Sequence, residues 1–187
     1  MYVPCPSVID ANQAFEFLKS GNERYTQNNR SYKDDSVIER KCLVNGQYPF
    51  AVVLACSDSR TSPEIFFDQK LGNIFVIRNA GNIADSTALG SIEFAVEYLN
   101  VPLVVVVGHG KCGAVTAAYQ GAEVEGELKS IINMIRLSCS DSKDEDEAIK
   151  DNIRYVVKII EKNEKIKRHN ATVVGAYYDI KTGIVSW

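Results

Sequence analysis

The chain has 187 residues, 45% of them apolar and 24% charged, with a formal net charge of -3. That length suits one domain able to bury a core without disulfide staples. The slightly acidic balance argues against nucleic acid as the main partner. Five cysteines, an odd number at scattered spacing, suit a reducing compartment and not a disulfide framework. Residues 1–10 lack the basic head and long apolar segment of a secretory signal. The longest apolar run, 101–107, is far too short to span a bilayer. A cytoplasmic protein with no membrane partner is expected.

Residues 10–27 read as an amphipathic helix capped by Asp10, with Ala14, Phe15, Leu18 and Tyr25 near helical spacing. Phe17 lies off that face, which suggests a surface left over for a partner subunit. A polar loop covers 28–35, and a second short helix is expected over 35–44, with Gly46 just past its end. Residues 51–55 are a short apolar run, β-branched at Val52 and Val53, and read as a buried parallel strand. Thr61 and Glu64 have capping-box spacing around Pro63, which predicts a helix from there to about Gly72.

A second strand follows over 73–78, then a loop over 79–82. A helix capped by Asp85 or Ser86 runs on through Leu99, with Leu89, Ile92, Ala95, Val96 and Leu99 on one face. Residues 103–107 are a third strand, apolar throughout, which asks for cover on both faces. Helices are expected over 114–119, 125–139 and, as one long element, 148–167. Residues 171–178 are a fourth strand and 179–183 a turn, and 184–187 form a short antiparallel edge strand. Strands alternating with helices predict an α/β fold: a mostly parallel central sheet, four parallel strands plus an antiparallel edge strand, flanked by helices. There is no internal repeat, low-complexity tract or linker. A single domain over 1–187 is expected, with an N-terminal helical arm over about 10–45.

Chemistry concentrates at two strand ends. Cys56-Ser57-Asp58-Ser59-Arg60 closes the first strand, where open α/β sheets place their ligands. Taken alone, Cys56 reads first as a packed structural cysteine, since free cysteine is among the most buried residue types. Gly108-His109-Gly110-Lys111-Cys112-Gly113 closes the third strand and changes that reading. In a parallel sheet both strand ends lie on one rim, so Cys56, His109 and Cys112 can converge. Two thiolates and an imidazole suit zinc, and three protein ligands leave a fourth position open, as in catalytic sites. Cys5, Cys42 and Cys139 have no second histidine near a strand end and are expected to be dispensable. Gly108, Gly110 and Gly113 are expected to let the backbone turn tightly enough for both loop ligands to face one ion.

The same glycines have dinucleotide-fingerprint spacing. That fingerprint belongs to the first strand of its fold, with an acidic residue ending the next strand. Here it follows the third strand, and the region near Glu127 is helical in pattern, so nucleotide binding is not expected. Nor does Cys56 to Arg60 fit a phosphatase loop, because too few residues separate the thiol from the guanidinium.

Cys56-x-Asp58-x-Arg60 followed by His109-x-x-Cys112-Gly113 resembles the β-class carbonic anhydrases. The resemblance extends to Phe75-Val76-Ile77-Arg78-Asn79-Ala80-Gly81-Asn82 and to Gly90-Ser91-Ile92-Glu93-Phe94-Ala95. It also takes in the opening Leu18-x-x-Gly21-Asn22-x-Arg24-Tyr25 and the closing Val174-Gly175-Ala176-x-Tyr178-Asp179. It covers nearly the whole chain. It implies reversible hydration of carbon dioxide to bicarbonate and a proton, with one zinc per chain. It implies a homodimer or a higher multiple, whose N-terminal helices pack on the neighbouring subunit. By resemblance Gln47 reaches the substrate across that interface, and Phe75 and Ala80 line the carbon dioxide pocket. Phe94 stands in the same pocket, where several relatives carry tyrosine.

The mechanism expected on this resemblance starts from charge. Zinc, two thiolates and a neutral His109 sum to zero, so bound water is less acidic than at a site with neutral ligands. Asp58 accepts a hydrogen bond from zinc-bound hydroxide and orients it toward carbon dioxide. Arg60 pairs with Asp58, lowers its pKa and keeps it off the metal; the plainer alternative is a surface ion pair worth ~0–1 kcal/mol. Arg78 and Asn79 are supporting or interface residues. His169, near a basic helix end, is electrostatically comfortable there without any role in proton transfer.

Some relatives swing the aspartate onto zinc as a fourth ligand. Their closed form is stabilised by a bicarbonate pocket built partly on a tryptophan in the first strand. Residues 50–55 hold no tryptophan, so an open site is expected at neutral pH, with Asp58 a ligand in a closed state only. Two other readings stand beside this one. The same scaffold hydrolyses carbon disulfide or carbonyl sulfide in some relatives. A non-enzymatic zinc-binding assembly protein would have no use for the Asp58–Arg60 pair.

Overall fold

The structure, a computed structural model, describes residues 9–31 and 37–187. Cys5 and the expected helix start at Asp35 lie outside the described residues. Helix α1 (Ala11–Thr26) begins as its sequence requires: Gln13 N donates to Asp10 Oδ1 at 2.8 Å and Asp10 N to Gln13 Oε1 at 3.1 Å. This reciprocal capping satisfies two amides that the first turn leaves without partners. Helix α2 (Val37–Cys42) is short.

The elements that follow are β1 (Ala51–Cys56), α3 (Pro63–Phe66), β2 (Ile74–Asn79), a 3-10 turn (Ala80–Asn82), α4 (Ser86–Tyr98) and β3 (Leu103–His109). Then come α5 (Gly113–Tyr119), α6 (Leu128–Cys139), α7 (Glu145–Glu161), α8 (Glu164–Arg168), β4 (Thr172–Tyr178) and β5 (Val185–Ser186). The sheet order is β2-β1-β3-β4-β5. The first four strands are parallel and β5 is antiparallel to β4, as the alternation of strands and helices predicts.

Strands β1 and β3 are buried along their whole length, because helices cover both faces of the sheet. Alternate side chains divide between two cores. Val52, Leu54, Val104 and Val106 face Ile92, Ile132, Ile149 and Ile153, which α4, α6 and α7 supply. Ala51, Val53, Leu103 and Val105 face Ala14 and Leu18 from α1, Phe66 from α3, and Phe67 just after it. No helix among the described residues is long and apolar enough to cross a membrane.

Helix α1 docks on its own chain. Gly21 lies so close to the loop after α3 that a Cβ there would sit 1.8 Å from the Phe67 carbonyl oxygen. Buried Asn22 donates to the carbonyls of Phe66 (2.9 Å) and Gly183 (2.8 Å) and accepts from Val185 N (2.9 Å). Arg24 Nε meets Asp68 Oδ2 at 2.6 Å, and Tyr25 Oη lies 3.3 Å from Tyr178 Oη. Phe17 stays 46% exposed.

Two local expectations fail for identifiable reasons. The helix at Pro63 is capped by Ser62 without a side-chain cap bond and lasts only four residues. Thr61, expected in a capping box, turns its hydroxyl back onto the carbonyls of Asp58 (3.0 Å) and Cys56 (3.3 Å). The chain cannot continue as helix to Gly72, because Asp68 adopts a left-handed φ of 48° with its carboxylate committed to Arg24 and Ser31. The long helix expected over 148–167 is two. Asn163 accepts from Lys165 N and Ile166 N, which starts α8, and its Nδ2 is held by Glu93 Oε1 at 2.8 Å. An asparagine that caps a new turn ends the old one.

Candidate metal centre

The register explains why residues so far apart in sequence meet. Ala55 on β1 pairs with Val107 on β3, so Cys56 and His109 leave the sheet at the same rim. Beyond His109 the chain bends back. Lys111, not a glycine, takes the left-handed conformation there, with φ of 57°. The three glycines expected to make this turn do not adopt positive φ. Two of them provide room instead: a Cβ at Gly108 would lie 2.7 Å from Ile153 Cδ1, and one at Gly110 would lie 2.9 Å from Tyr177 Oη. The bend places Cys112 at the N-cap of α5, facing Cys56.

Cys56, His109 and Cys112 are all buried, and their ligand atoms lie within 4.8 Å of one another. The sulfurs are 3.9 Å apart. That is too far for a disulfide and close to the edge of about 3.8 Å for a tetrahedral zinc site with Zn–S near 2.3 Å. His109 Nδ1 lies 3.0 Å from the Gly110 carbonyl oxygen and must donate to it, which leaves the lone pair on Nε2. Among the described residues Nε2 is buried without a hydrogen-bond partner. A buried acceptor without a partner costs about 1–3 kcal/mol, and here it points between two thiols. The donor set and its geometry therefore fit a soft divalent cation such as zinc.

The electrostatics agree. The Cys56 thiol is pulled down, first by the hydrogen bond from Cys112, then by His109 and the Gly81 amide, against the effect of burial. Cys112 is pushed up by the same contact and by burial. A bound cation would require both thiols to be deprotonated.

Asp58 borders this triad, with Oδ2 3.9 Å from His109 Nε2. Arg60 holds it through Nε to Oδ1 (2.9 Å), Nη2 to Oδ2 (2.6 Å) and its own backbone amide to Oδ1 (2.9 Å). Arg60 keeps the Asp58 carboxyl well below the usual carboxylate range. Arg78 and Asn79 are structural supports of the rim. Arg78 donates from Nε to the Cys56 carbonyl (3.0 Å) and from Nη2 to the Asp58 carbonyl (2.7 Å). Asn79 closes the next loop on itself, donating to the Ile83 carbonyl at 2.8 Å and accepting from Ile83 N at 2.9 Å.

The four residues assigned to a substrate pocket are dispersed. Ala80 opens the 3-10 turn directly after Asn79, which pairs with Cys56. Phe75 pairs with Val52, four residues before Cys56, and so lies roughly 13 Å down the strand from the rim. Its ring is 6.3 Å from that of Phe94, which is 46% exposed and stacked on Tyr98 at 5.5 Å. Gln47 is exposed in the segment leading into β1, at the end of that strand opposite Cys56. One chain therefore brings the metal triad and the Asp58–Arg60 pair together, but leaves Gln47 and Phe94 exposed and Phe75 half-buried down the strand from the rim.

Two contributors escaped the sequence reading. Thr61, buried at the rim, ties the backbone of the Cys56–Asp58 loop. The Gly81 amide donates to Cys56 Sγ at 3.4 Å. Neither has a local signature, because each acts through backbone groups that only the fold brings into range.

A family model described as carbonic anhydrase matches residues 51–185. Carbonic anhydrase 2 of Mycobacterium tuberculosis is 53% identical over 105 residues, which are 56% of this chain and 51% of that protein. The match thus spans about half the length of that relative. Among solved structures, a tetrameric β-carbonic anhydrase from Sordaria macrospora superimposes with a TM-score of 0.71 at 23% identity, over 93% of this chain and 96% of that one. A carbon disulfide hydrolase superimposes with a TM-score of 0.58 at 19% identity, over 80% and 85%. At such identities these two likenesses speak to the fold alone. The family match runs from the first residue of β1 to Val185 and includes both loops that converge at the rim; the chain therefore belongs to the β-class carbonic anhydrases.

Proposed function

We propose that the protein is a zinc enzyme that interconverts carbon dioxide and water with bicarbonate and a proton. The observation that carries this reading is the convergence of Cys56, His109 and Cys112 at one rim, with Asp58 Oδ2 3.9 Å from His109 Nε2. Cys56, His109 and Cys112 would hold one zinc per chain. Zinc, when bound, acts as a Lewis acid that makes water a nucleophile near neutral pH.

The chain's own groups do the rest. Asp58 stays ionised, so it accepts a hydrogen bond from the attacking water and turns that oxygen's free lone pair toward carbon dioxide. Arg60 occupies both carboxylate oxygens, and this favours an open site at neutral pH with Asp58 off the metal. The Gly81 amide and the Gly110 carbonyl fix the thiolate and the imidazole in orientation. The proton released leaves to solvent; the second histidine, His169, is exposed at the end of α8.

Gln47, Phe75 and Phe94 act from the neighbouring subunit in this proposal, which makes the working unit a homodimer or a multiple of it. The exposed rings of Phe94 and Tyr98, with half-buried Phe75 behind them, support that assembly. A cytoplasmic location is supported by Cys42 and Cys139, free thiols outside the metal centre. The test is stopped-flow hydration of carbon dioxide by the zinc-loaded protein, with Asp58→Asn alongside. Rapid proton release by the wild type and strong loss in the variant are expected. Turnover of carbon disulfide without hydration of carbon dioxide would overturn the substrate assignment.

A further inference from the structure

The buried side chain of Asn152 has no part in the mechanism above. It sits on α7 at 1% exposure. Its Nδ2 donates to the Gly81 carbonyl at 2.9 Å, and Ser138 Oγ lies 3.2 Å from its Oδ1. The amide cannot be turned over, because its oxygen would then face the Gly81 carbonyl oxygen. Gly81 in turn donates its N–H to Cys56 Sγ at 3.4 Å. Gly81 is held at φ of 72°, and a Cβ on it would lie 2.5 Å from Ile135 Cδ1. The glycine is thus pressed between α6 and the metal rim, with its amide on the Cys56 sulfur and its carbonyl held by the Asn152 side chain.

We infer that Asn152 is a positioning residue for the metal centre: by fixing the Gly81 carbonyl it aims the Gly81 amide at the Cys56 thiolate. This rests on the metal-centre reading above. An N–H···S bond withdraws charge from a ligating sulfur and orients its lone pairs, and such outer partners typically change metal affinity by about 10–100-fold. Asn152 reaches the sulfur only through the glycine. A sequence window around Cys56 therefore cannot reveal it, nor can one around His109.

The test compares wild type, Asn152→Leu and Asn152→Ala. Zinc affinity is measured by competition with a chromophoric chelator, and the thiolate-to-metal charge-transfer band is recorded on the cobalt-loaded proteins. Asn152→Leu is expected to weaken zinc binding about tenfold or more and to move the band, while the metal-free protein keeps its far-ultraviolet circular dichroism. Asn152→Ala, which removes the Nδ2 donor to the Gly81 carbonyl without filling its place, is expected to shift both readouts in the same direction. If Asn152→Leu folds and matches wild type in affinity and band position, the positioning role is overturned. If Asn152→Leu does not fold, Asn152→Ala decides: an unchanged affinity and band overturn the role. Wild-type protein that holds no zinc would instead overturn the metal-centre reading itself.

Discussion

The guanidinium of Arg60 meets the carboxylate of Asp58 edge to edge, Nε on Oδ1 and Nη2 on Oδ2, while Nη2 also reaches the Lys111 carbonyl at 3.2 Å. Lys111 lies between the two ligands of the other loop. One side chain therefore sets the carboxylate and ties it to the loop that carries His109 and Cys112. Arg60→Ala is expected to keep its zinc, by elemental analysis, and to lose activity by about tenfold or more, of the order seen when a ligand's supporting partner is removed. Arg60→Lys is expected to rescue little, because a point charge cannot reproduce a two-pronged fork. A structure of zinc-loaded wild type at pH ~7 with Asp58 on the metal would refute the open site.

The same pair sets a pH dependence of stability. Asp58 is depressed in the folded protein relative to about 3.9 in an unfolded chain. Its contribution is therefore fully present above about pH 4–5 and is lost as pH falls further, through the folded value. Denaturant midpoints followed from pH 6 down to pH 2.5 are expected to fall less steeply in Asp58→Asn than in wild type. Equal slopes would show that the pair adds nothing to folding.

Cys56→Ser, His109→Ala and Cys112→Ser are each expected to lose zinc, whereas Cys42→Ser and Cys139→Ser keep it. Metal content of the purified variants decides. Full occupancy in any of the first three would remove that residue from the centre.

Gly21 tests the docking of α1. A methyl group there meets the Phe67 carbonyl oxygen, a backbone atom that cannot move aside alone. Gly21→Ala is expected to destabilise the fold by about 1–3 kcal/mol or more, as overpacked sites do, read as a lowered melting temperature. An unchanged melting temperature would mean that α1 does not hold this position in solution.

Assembly is tested by light scattering at micromolar concentration, where a dimeric or larger mass is expected. Phe94→Glu combined with Tyr98→Glu is expected to shift the mass downward, since both rings are exposed on the outer face. A monomeric wild type would remove the proposed role of Gln47 across the interface.

The local chemistry of this chain determined much by itself. The uninterrupted apolar runs at 51–55 and 103–107 required a parallel sheet with helices on both faces, because only there can such strands be dry on both sides. The placing of Cys56 and of His109-x-x-Cys112 just past those runs put all three ligands on one rim, and Asp10 capped its helix as its side chain allows. The tertiary structure decided what depends on distant partners. Asp68 ended α3 early because Arg24 and Ser31 claimed its carboxylate, and Asn163 split a continuous apolar stripe because Glu93 was within reach. Lys111 took the turn expected of glycines, while Gly108 and Gly110 were needed for the room they leave to Ile153 and Tyr177. The path from Asn152 through Gly81 to Cys56 runs over backbone atoms, whose hydrogen-bonding groups are the same in nearly every residue, so only the fold could select it.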